Sequence, residues 1–385
     1  MIRASWTTSG QALAGQERAL QEPIVESWEI GRPRPEVRRR QQAIMADPQR
    51  RRIVAIDVVR GLAIVGMLLV NDAGIPSAMP SQLRHAPWQG LTVADLVFPL
   101  FLFTVGASMP FSERAQRPAA VLRRVGGLVV LGSLLVSAKQ LRLAPSTGVL
   151  QQIAGAYLLA WLALKLPRRT QLPAGVAVLA GLWAAYTFVP GDGIRRGSWA
   201  PGTNLADFVD RHLLGQFSEH GVLVMVASSV SVLAGVAAGR VLRNRREGTG
   251  VTERLSALGV ATIAAGAALA LMVPVSKPLW SPSYVLVTAG AACLVTAAAH
   301  WLVDLGPGRR WARPLVVLGS NALAGYAVSV LLFAFLLKPW QADLVRPLDR
   351  LVGASFAAVA YAAATVVVVW ALAEWLYRRR IFVKL

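Results

Sequence analysis

Long apolar runs, closed by short connections in which arginines collect, limit what this chain can fold into more than any other feature. Ten such runs read off near residues 53–70, 92–112, 120–138, 147–166, 172–190, 221–241, 255–274, 284–303, 314–337 and 354–377. Roughly 17–25 apolar residues span a bilayer as a helix, and in lipid a helix satisfies its own backbone polar groups. With 385 residues, 55% of them hydrophobic, and a mean hydropathy of +0.50, the chain has more apolar surface than a soluble core can hide. The expected fold class is therefore all-α, a polytopic integral membrane helix bundle of about ten transmembrane helices, with Pro99 as a kink in the second.

The charges set the expected orientation. Forty Lys and Arg against twenty Asp and Glu give a net charge of +20. The basic residues lie in alternate connections: Arg50 to Arg52, Arg114 to Arg124, Lys165 to Arg169, Arg240 to Arg254, Arg309 to Arg313 and Arg378 to Arg380. By the positive-inside rule both termini are expected in the cytoplasm, in a multi-pass protein of the cell (inner or plasma) membrane. Nucleic acid is not an expected partner, because no basic soluble domain of usable size exists. Residues 1–50 are polar and rich in Arg, Glu, Gln and Pro, and they read as a disordered basic tail without a signal peptide; Met45 is a candidate true start. Residues 51–385 form the transmembrane domain. Cys293 is alone, so neither an internal disulfide nor a cysteine metal site is expected. No HExxH, CxxC or Gly-Lys-Ser/Thr pattern occurs, and no metal is expected.

Ionisable and amide side chains at the edges of apolar spans are costly, which makes them functional candidates. Asp57 and Arg60 are three apart and share a helix face; they either pair with each other or leave Arg60 to meet an anionic ligand. Asn71 ends the first span, where an amide either caps the helix or donates to a developing oxyanion. His85 is either a bystander at the interface or a base for an amine or hydroxyl nucleophile. Thr92-Val-Ala-Asp95 has the form of a capping box, and Asp95 could also fix the tautomer of His85. Lys277 and Trp280 suit interfacial anchoring, as do His300 and Trp301, and Asn321 suits a bond between helices. The 191–220 connection, with Asp207, Asp210, Arg211, His212, Glu219 and His220, is the largest polar surface expected on the outer side. Gly235-Val-Ala-Ala-Gly239 fits a small-residue packing face.

Several of these stretches, in this order, resemble the heparan-α-glucosaminide N-acetyltransferase family of transmembrane acyltransferases. The likeness rests on Asp57-Val-Val-Arg60-Gly61, Val70-Asn71, His85-Ala-Pro-Trp88-Gln-Gly90-Leu-Thr92-Val-Ala-Asp95, Gly148-Val-Leu-Gln151-Gln152, Asn204-Leu-Ala206 with Asp210-Arg211, Lys277-Pro-Leu-Trp280-Ser281-Pro-Ser283-Tyr284 and Gly319-Ser-Asn321-Ala322. Two departures stand out. Gln89 replaces a usual Asn, and Ser218-Glu219-His220-Gly221 stands where many bacterial members have Asp-Pro-Glu-Gly.

The resemblance implies transfer of an acetyl or other acyl group from cytoplasmic acyl-CoA, with acetyl-CoA as co-substrate, to an amino or hydroxyl group of a sugar or glycan on the far side. It makes His85 and Asn71 the catalytic candidates, with Asp95 behind His85. Asp57, Arg60, Lys277, Trp280, Ser281, Tyr284 and Asn321 become candidates to hold the acyl-CoA. A homodimer is a further expectation, raised by the likeness and the glycine face. The rival reading is a transporter or flippase of an envelope precursor or acyl group; a non-catalytic scaffold is a third.

Overall fold

The computed structural model describes residues 53–140, 147–190, 194–244, 250–306, 308, 310–337 and 340–382. The expected tail at 1–50 and the alternative start at Met45 lie outside the described residues. Thirteen helices make up the described fold: α1 (Val54–Asn71), α2 (Val93–Ser108), α3 (Pro118–Gln140), α4 (Val149–Ala163), α5 (Arg168–Phe188), α6 (Leu205–Leu214), α7 (Val222–Arg243), α8 (Gly250–Ala270), α9 (Pro282–Ala299), α10 (Arg313–Ser320), α11 (Ala322–Leu331), α12 (Gln341–Val352) and α13 (Ala354–Arg378). No strand occurs among them.

Each of the ten apolar runs coincides with a helix or helix pair, but not all are full-length spans. Among the described residues, eight helices are long and apolar enough to cross a bilayer: α1, α2, α3, α5, α7, α8, α9 and α13. The run near 314–337 is broken. Its two halves, α10 and α11, meet at Asn321 with a bend of 79°. The run near 147–166 supplies only the fifteen residues of α4. Helix α2 runs through Pro99 without interruption of its helical assignment. The amphipathic helix α12 falls in the connection after the broken span, where no helix is expected from the apolar runs.

The bundle has a buried centre and a lipid-facing rim. Apolar windows of α1, α2, α7 and α9 are more than half buried, whereas that of α8 is only 17% buried. Helices that are apolar all round and yet exposed need a hydrocarbon solvent, so α3, α5 and α8 form the rim.

Hydrogen bonds define the two ends of the bundle. At one end Asp304, in the π-helical turn that continues α9, accepts from the N–H groups of Val54 (2.9 Å) and Ala55 (3.4 Å) and so caps the otherwise uncapped start of α1. His300 bonds Asp304 at 3.0 Å and is buried, a structural place rather than an anchor's. Arg243 reaches Pro110 O, Arg240 reaches Gln171, and Arg313 and Arg378 share Glu374. The arginines at the ends of α7 and α13 and the start of α10 therefore stand at one end, with the start of α1. The opposite end gathers Asn71, the 85–92 loop, the start of α4, the 194–221 segment and the 273–281 segment.

The Gly235–Gly239 face is used within the chain. A Cβ at Gly235 would lie 2.0 Å from Phe103 O, one at Gly239 2.3 Å from Ala107 O, and one at Gly106 1.9 Å from Val232 O. Helices α2 and α7 thus touch backbone to backbone, and this face is not free to make a dimer. Because backbone cannot swing aside, Gly235→Ala should lower the melting temperature and the yield of monodisperse protein. Gly126→Ala, on α3 with nothing within 4 Å, should leave the melting temperature unchanged or raise it, by the roughly 0.5–1 kcal/mol gained when Gly becomes Ala in a helix. Thermal unfolding of the two variants in one detergent checks the contrast.

Candidate active site

At the end opposite the arginine-rich one, a cavity of about 240 Å³ opens between α1, α2, α4, α11 and three loops. Its lining includes Asn71, His85, Glu219, His220 and Lys277, with Phe98 and Tyr326 among its apolar walls.

The start of α2 builds the His85 side. Asp95 is fully buried, and each of its carboxylate oxygens has a separate task. Oδ2 accepts from the backbone N–H groups of Thr92 (3.0 Å) and Ala86 (3.2 Å), while Oδ1 lies 2.8 Å from Nδ1 of His85. The Thr92 hydroxyl lies 2.8 Å from Arg84 O and 2.9 Å from Asp95 Oδ2, closing the loop onto the helix start. The capping box read from Thr92-Val-Ala-Asp95 is present, and the same carboxylate also orients the histidine. A carboxylate only accepts, so Nδ1 of His85 donates to it, and in the neutral ring Nε2 is the nitrogen without a hydrogen. The imidazole is 38% exposed, on the cavity.

A second layer supports this one. Tyr284, at the start of α9, donates its hydroxyl to Asp95 O at 2.6 Å. Gly90, with φ +113°, donates to Val275 O at 2.8 Å and ties the histidine loop to the 273–281 segment. Ser281 caps α9 by accepting from Tyr284 N and also accepts from Ser276 N. Trp280 is buried with φ +48°, edge-on to Phe98 and Tyr284. Trp280, Ser281 and Tyr284 therefore frame the cavity from behind instead of lining it. Lys277 does line it. Burial pushes the Lys277 ammonium down, against the carboxylates of Glu219 and Asp95.

The third wall comes from the loop before α7. Asp210 on α6 is fully buried and accepts from Ser218 N (3.3 Å) and Val222 N (3.1 Å). A Cβ on Gly221 would lie 2.0 Å from that carboxylate, so only glycine admits the arrangement. Asn204 caps α6 by accepting from Asp207 N at 3.0 Å. The segment so held presents Glu219 and His220 to the cavity. Both residues stand in the 191–220 connection noted in the sequence, yet neither is singled out there as a site residue. The unexplained Gln152 inside an apolar helix is the signal that could have found His220, for it bonds His220 Nδ1 at 2.6 Å. Burial, and secondarily Lys277, hold the His220 imidazole down at about 4.

The remaining candidates stand apart. Arg60 bonds Asp57 Oδ1 (3.2 Å), Gly319 O (3.2 Å) and the Ser108 hydroxyl, knotting α1, α2 and α10 together toward the arginine-rich end. The pairing of Asp57 with Arg60 is thus present. Asn321 is buried at the α10–α11 break. Among the described residues, no three His, Cys, Asp or Glu side chains converge as metal ligands would.

Sequence comparison bears on the same residues. A family model described as heparan-alpha-glucosaminide N-acetyltransferase, catalytic, matches residues 52–209, which include Asn71, His85 and Asp95. The human heparan-alpha-glucosaminide N-acetyltransferase is 27% identical, with 71% of this chain and 52% of the human protein covered. Its mouse counterpart is 26% identical, with 71% and 53% covered. The chain spans about half the length of these two relatives. On these matches the chain is similar to heparan-alpha-glucosaminide N-acetyltransferases, and its eight long apolar helices among the described residues make it a multi-pass membrane protein.

Proposed function

We propose that this protein is a transmembrane acyltransferase that moves an acetyl or other acyl group from acyl-CoA to an amino or hydroxyl group of a sugar or glycan acceptor. The observation that carries the reading is the His85–Asp95 pair at 2.8 Å, with the free edge of the imidazole on a cavity that Asn71 also lines. Two named N-acetyltransferases among the relatives support the reaction type.

In this mechanism His85 Nε2 takes the proton from the acceptor N–H or O–H as that atom attacks the thioester carbonyl carbon. The carbonyl oxygen becomes an oxyanion, which the Asn71 amide stabilises. When the C–S bond breaks, CoA leaves as a thiolate and takes the proton from His85. Asp95 stays ionised and holds the imidazolium formed in between. A cavity of about 240 Å³ is smaller than the roughly 300–1,000 Å³ of sites that enclose a drug-sized ligand, so it receives the reacting groups and not a whole acyl-CoA. The nucleotide end of acyl-CoA would remain toward the arginine-rich, cytoplasmic end, near Arg60. From there to Asn71 is eleven residues of one helix, about 16 Å at 1.5 Å per residue, a depth for the extended pantetheine arm to bridge. The acceptor would enter from the opposite, extracytoplasmic side, where Lys277 and the 194–221 loop stand.

Acetyl-CoA-dependent release of CoA by the purified protein, with amino sugars as acceptors, tests the reading. His85→Ala should lose about 10²–10⁴ in rate, and Asn71→Ala about 10²–10³. Full turnover by His85→Ala would remove the general base from the account.

Asp95→Asn gives a sharper test. The two backbone donors on Oδ2 hold the amide oxygen of an asparagine in that position, so the amide NH₂ faces His85 Nδ1. Nδ1 must then accept, and Nε2 carries the proton. The rate should fall at least about 10²-fold, the scale of the lost base, with helical circular dichroism retained. Near-normal turnover by Asp95→Asn would show that the tautomer is not set in this way.

A further inference from the structure

The cavity holds a second imidazole, His220, which the acyl-transfer chemistry does not use. Its protonation is dictated by a chain of hydrogen bonds that ends on backbone. Ser228 on α7 donates its one hydroxyl proton to Val224 O at 2.6 Å. Its oxygen therefore accepts, and Gln152 Nε2 on α4 donates to it at 2.6 Å. The amide oxygen of Gln152 is thereby turned toward His220, 2.6 Å from Nδ1. An amide oxygen only accepts, so Nδ1 of His220 must carry the hydrogen and Nε2 must not. Gln152 and Ser228 are fully buried. The imidazole also stands edge-on to Phe98 at 6.3 Å between centroids.

The two histidines of the cavity thus have opposite prospects. His85 backs onto the Asp95 carboxylate. His220 backs onto a neutral amide with no counter-charge behind it. The charged groups near it are Lys277, whose ammonium opposes a second positive charge, and Glu219, on its own loop, with Asp210 behind that loop bonded to Ser218 N and Val222 N.

We propose that His220 is an acceptor-binding residue: a neutral imidazole whose Nε2 accepts a hydrogen bond from a hydroxyl or amine neighbouring the nucleophile, selecting polyhydroxylated or amino-sugar acceptors. This assignment rests on the acyl-transfer reading for the identity of the nucleophile but not for the state of the ring. Burial keeps that ring neutral through the physiological range, its proton affinity lying at about 4.

Nitrogen-15 solid-state NMR of histidine-labelled protein in lipid tests the proposal, because the chain has only four histidines and His220→Asn assigns the resonance. Nδ1 of His220 should be protonated and Nε2 not, at about pH 7 and still near pH 5, where an ordinary histidine is charged. Gln152→Glu puts a carboxylate against Nδ1 and should yield an imidazolium at about pH 6 in that variant alone. Glucosamine, added without acyl-CoA, should move the Nε2 resonance. In turnover, His220→Asn should raise the KM for glucosamine about fivefold, the size of one neutral hydrogen bond, with kcat within about twofold. A protonated Nε2, a ring unmoved by both glucosamine and glucose, or an unchanged glucosamine KM in His220→Asn overturns the proposal. Wild-type protein that releases no CoA while glucosamine still shifts Nε2 would instead overturn the acyl-transfer reading and leave the His220 assignment standing.

Discussion

The site depends on where one buried carboxylate sits. Asp95 closes the first turn of α2, holds the loop that carries His85 through two backbone N–H groups, and accepts from Nδ1 of that histidine. Burying a charge is expensive unless its lone pairs are met, and here three N–H donors meet them. The capping function and the proposed catalytic one therefore share the same bonds. Selection for a stable helix start would by itself tend to preserve the tautomer of His85. The segment from Lys277 to Tyr284 then becomes intelligible: it supports Asp95 through the Tyr284 hydroxyl and ties down the loop at Gly90.

The two ends of the bundle have different physics. The end that gathers the arginines spends its polar groups on structure: Asp304 caps α1, Arg60 joins three helices, and Glu374 receives two guanidinium groups. At the other end, side chains of both charges and two histidines face a cavity. Backbone contacts among small residues bring α2 directly against α7. Bonds to the groups around the cavity come from α2, α4, α6, α7 and α9, so its shape is fixed by the packed bundle and not by loops alone.

Much of this was legible in the sequence. Apolar length located every long helix, because the bilayer imposes that length. The spacing of Thr92 and Asp95 gave the helix start, and the cost of a polar group at a span edge marked Asn71 and His85. Other features were not legible, for physical reasons. Periodicity cannot show that an apolar run breaks, so the 79° bend at Asn321 looks like one uninterrupted span. A small-residue face does not say whether its partner is another chain or a neighbouring helix, and here it is α2. Trp280, Ser281 and Tyr284 lie in a stretch that looks like a binding motif, but the Tyr284 hydroxyl bonds Asp95 O, Ser281 bonds its own loop and the Trp280 indole donates to Ser231 on α7. His220 was hidden because its meaning depends on Gln152, 68 residues away, and such pairings exist only in three dimensions.

In the proposed reaction the Asn71 amide meets the thioester carbonyl oxygen and Nε2 of His85 meets the nucleophile that attacks its carbon. The most direct measurement is an experimental structure of the protein in lipid with a non-hydrolysable acetyl-CoA analogue. The account predicts the analogue's carbonyl in the 240 Å³ cavity, its oxygen within hydrogen-bond reach of Asn71. His85 Nε2 should lie where it can reach a nucleophile placed about 3–3.5 Å from the carbonyl carbon. An analogue bound with its acyl end outside this cavity, or on the far side of α2 from His85, would contradict it.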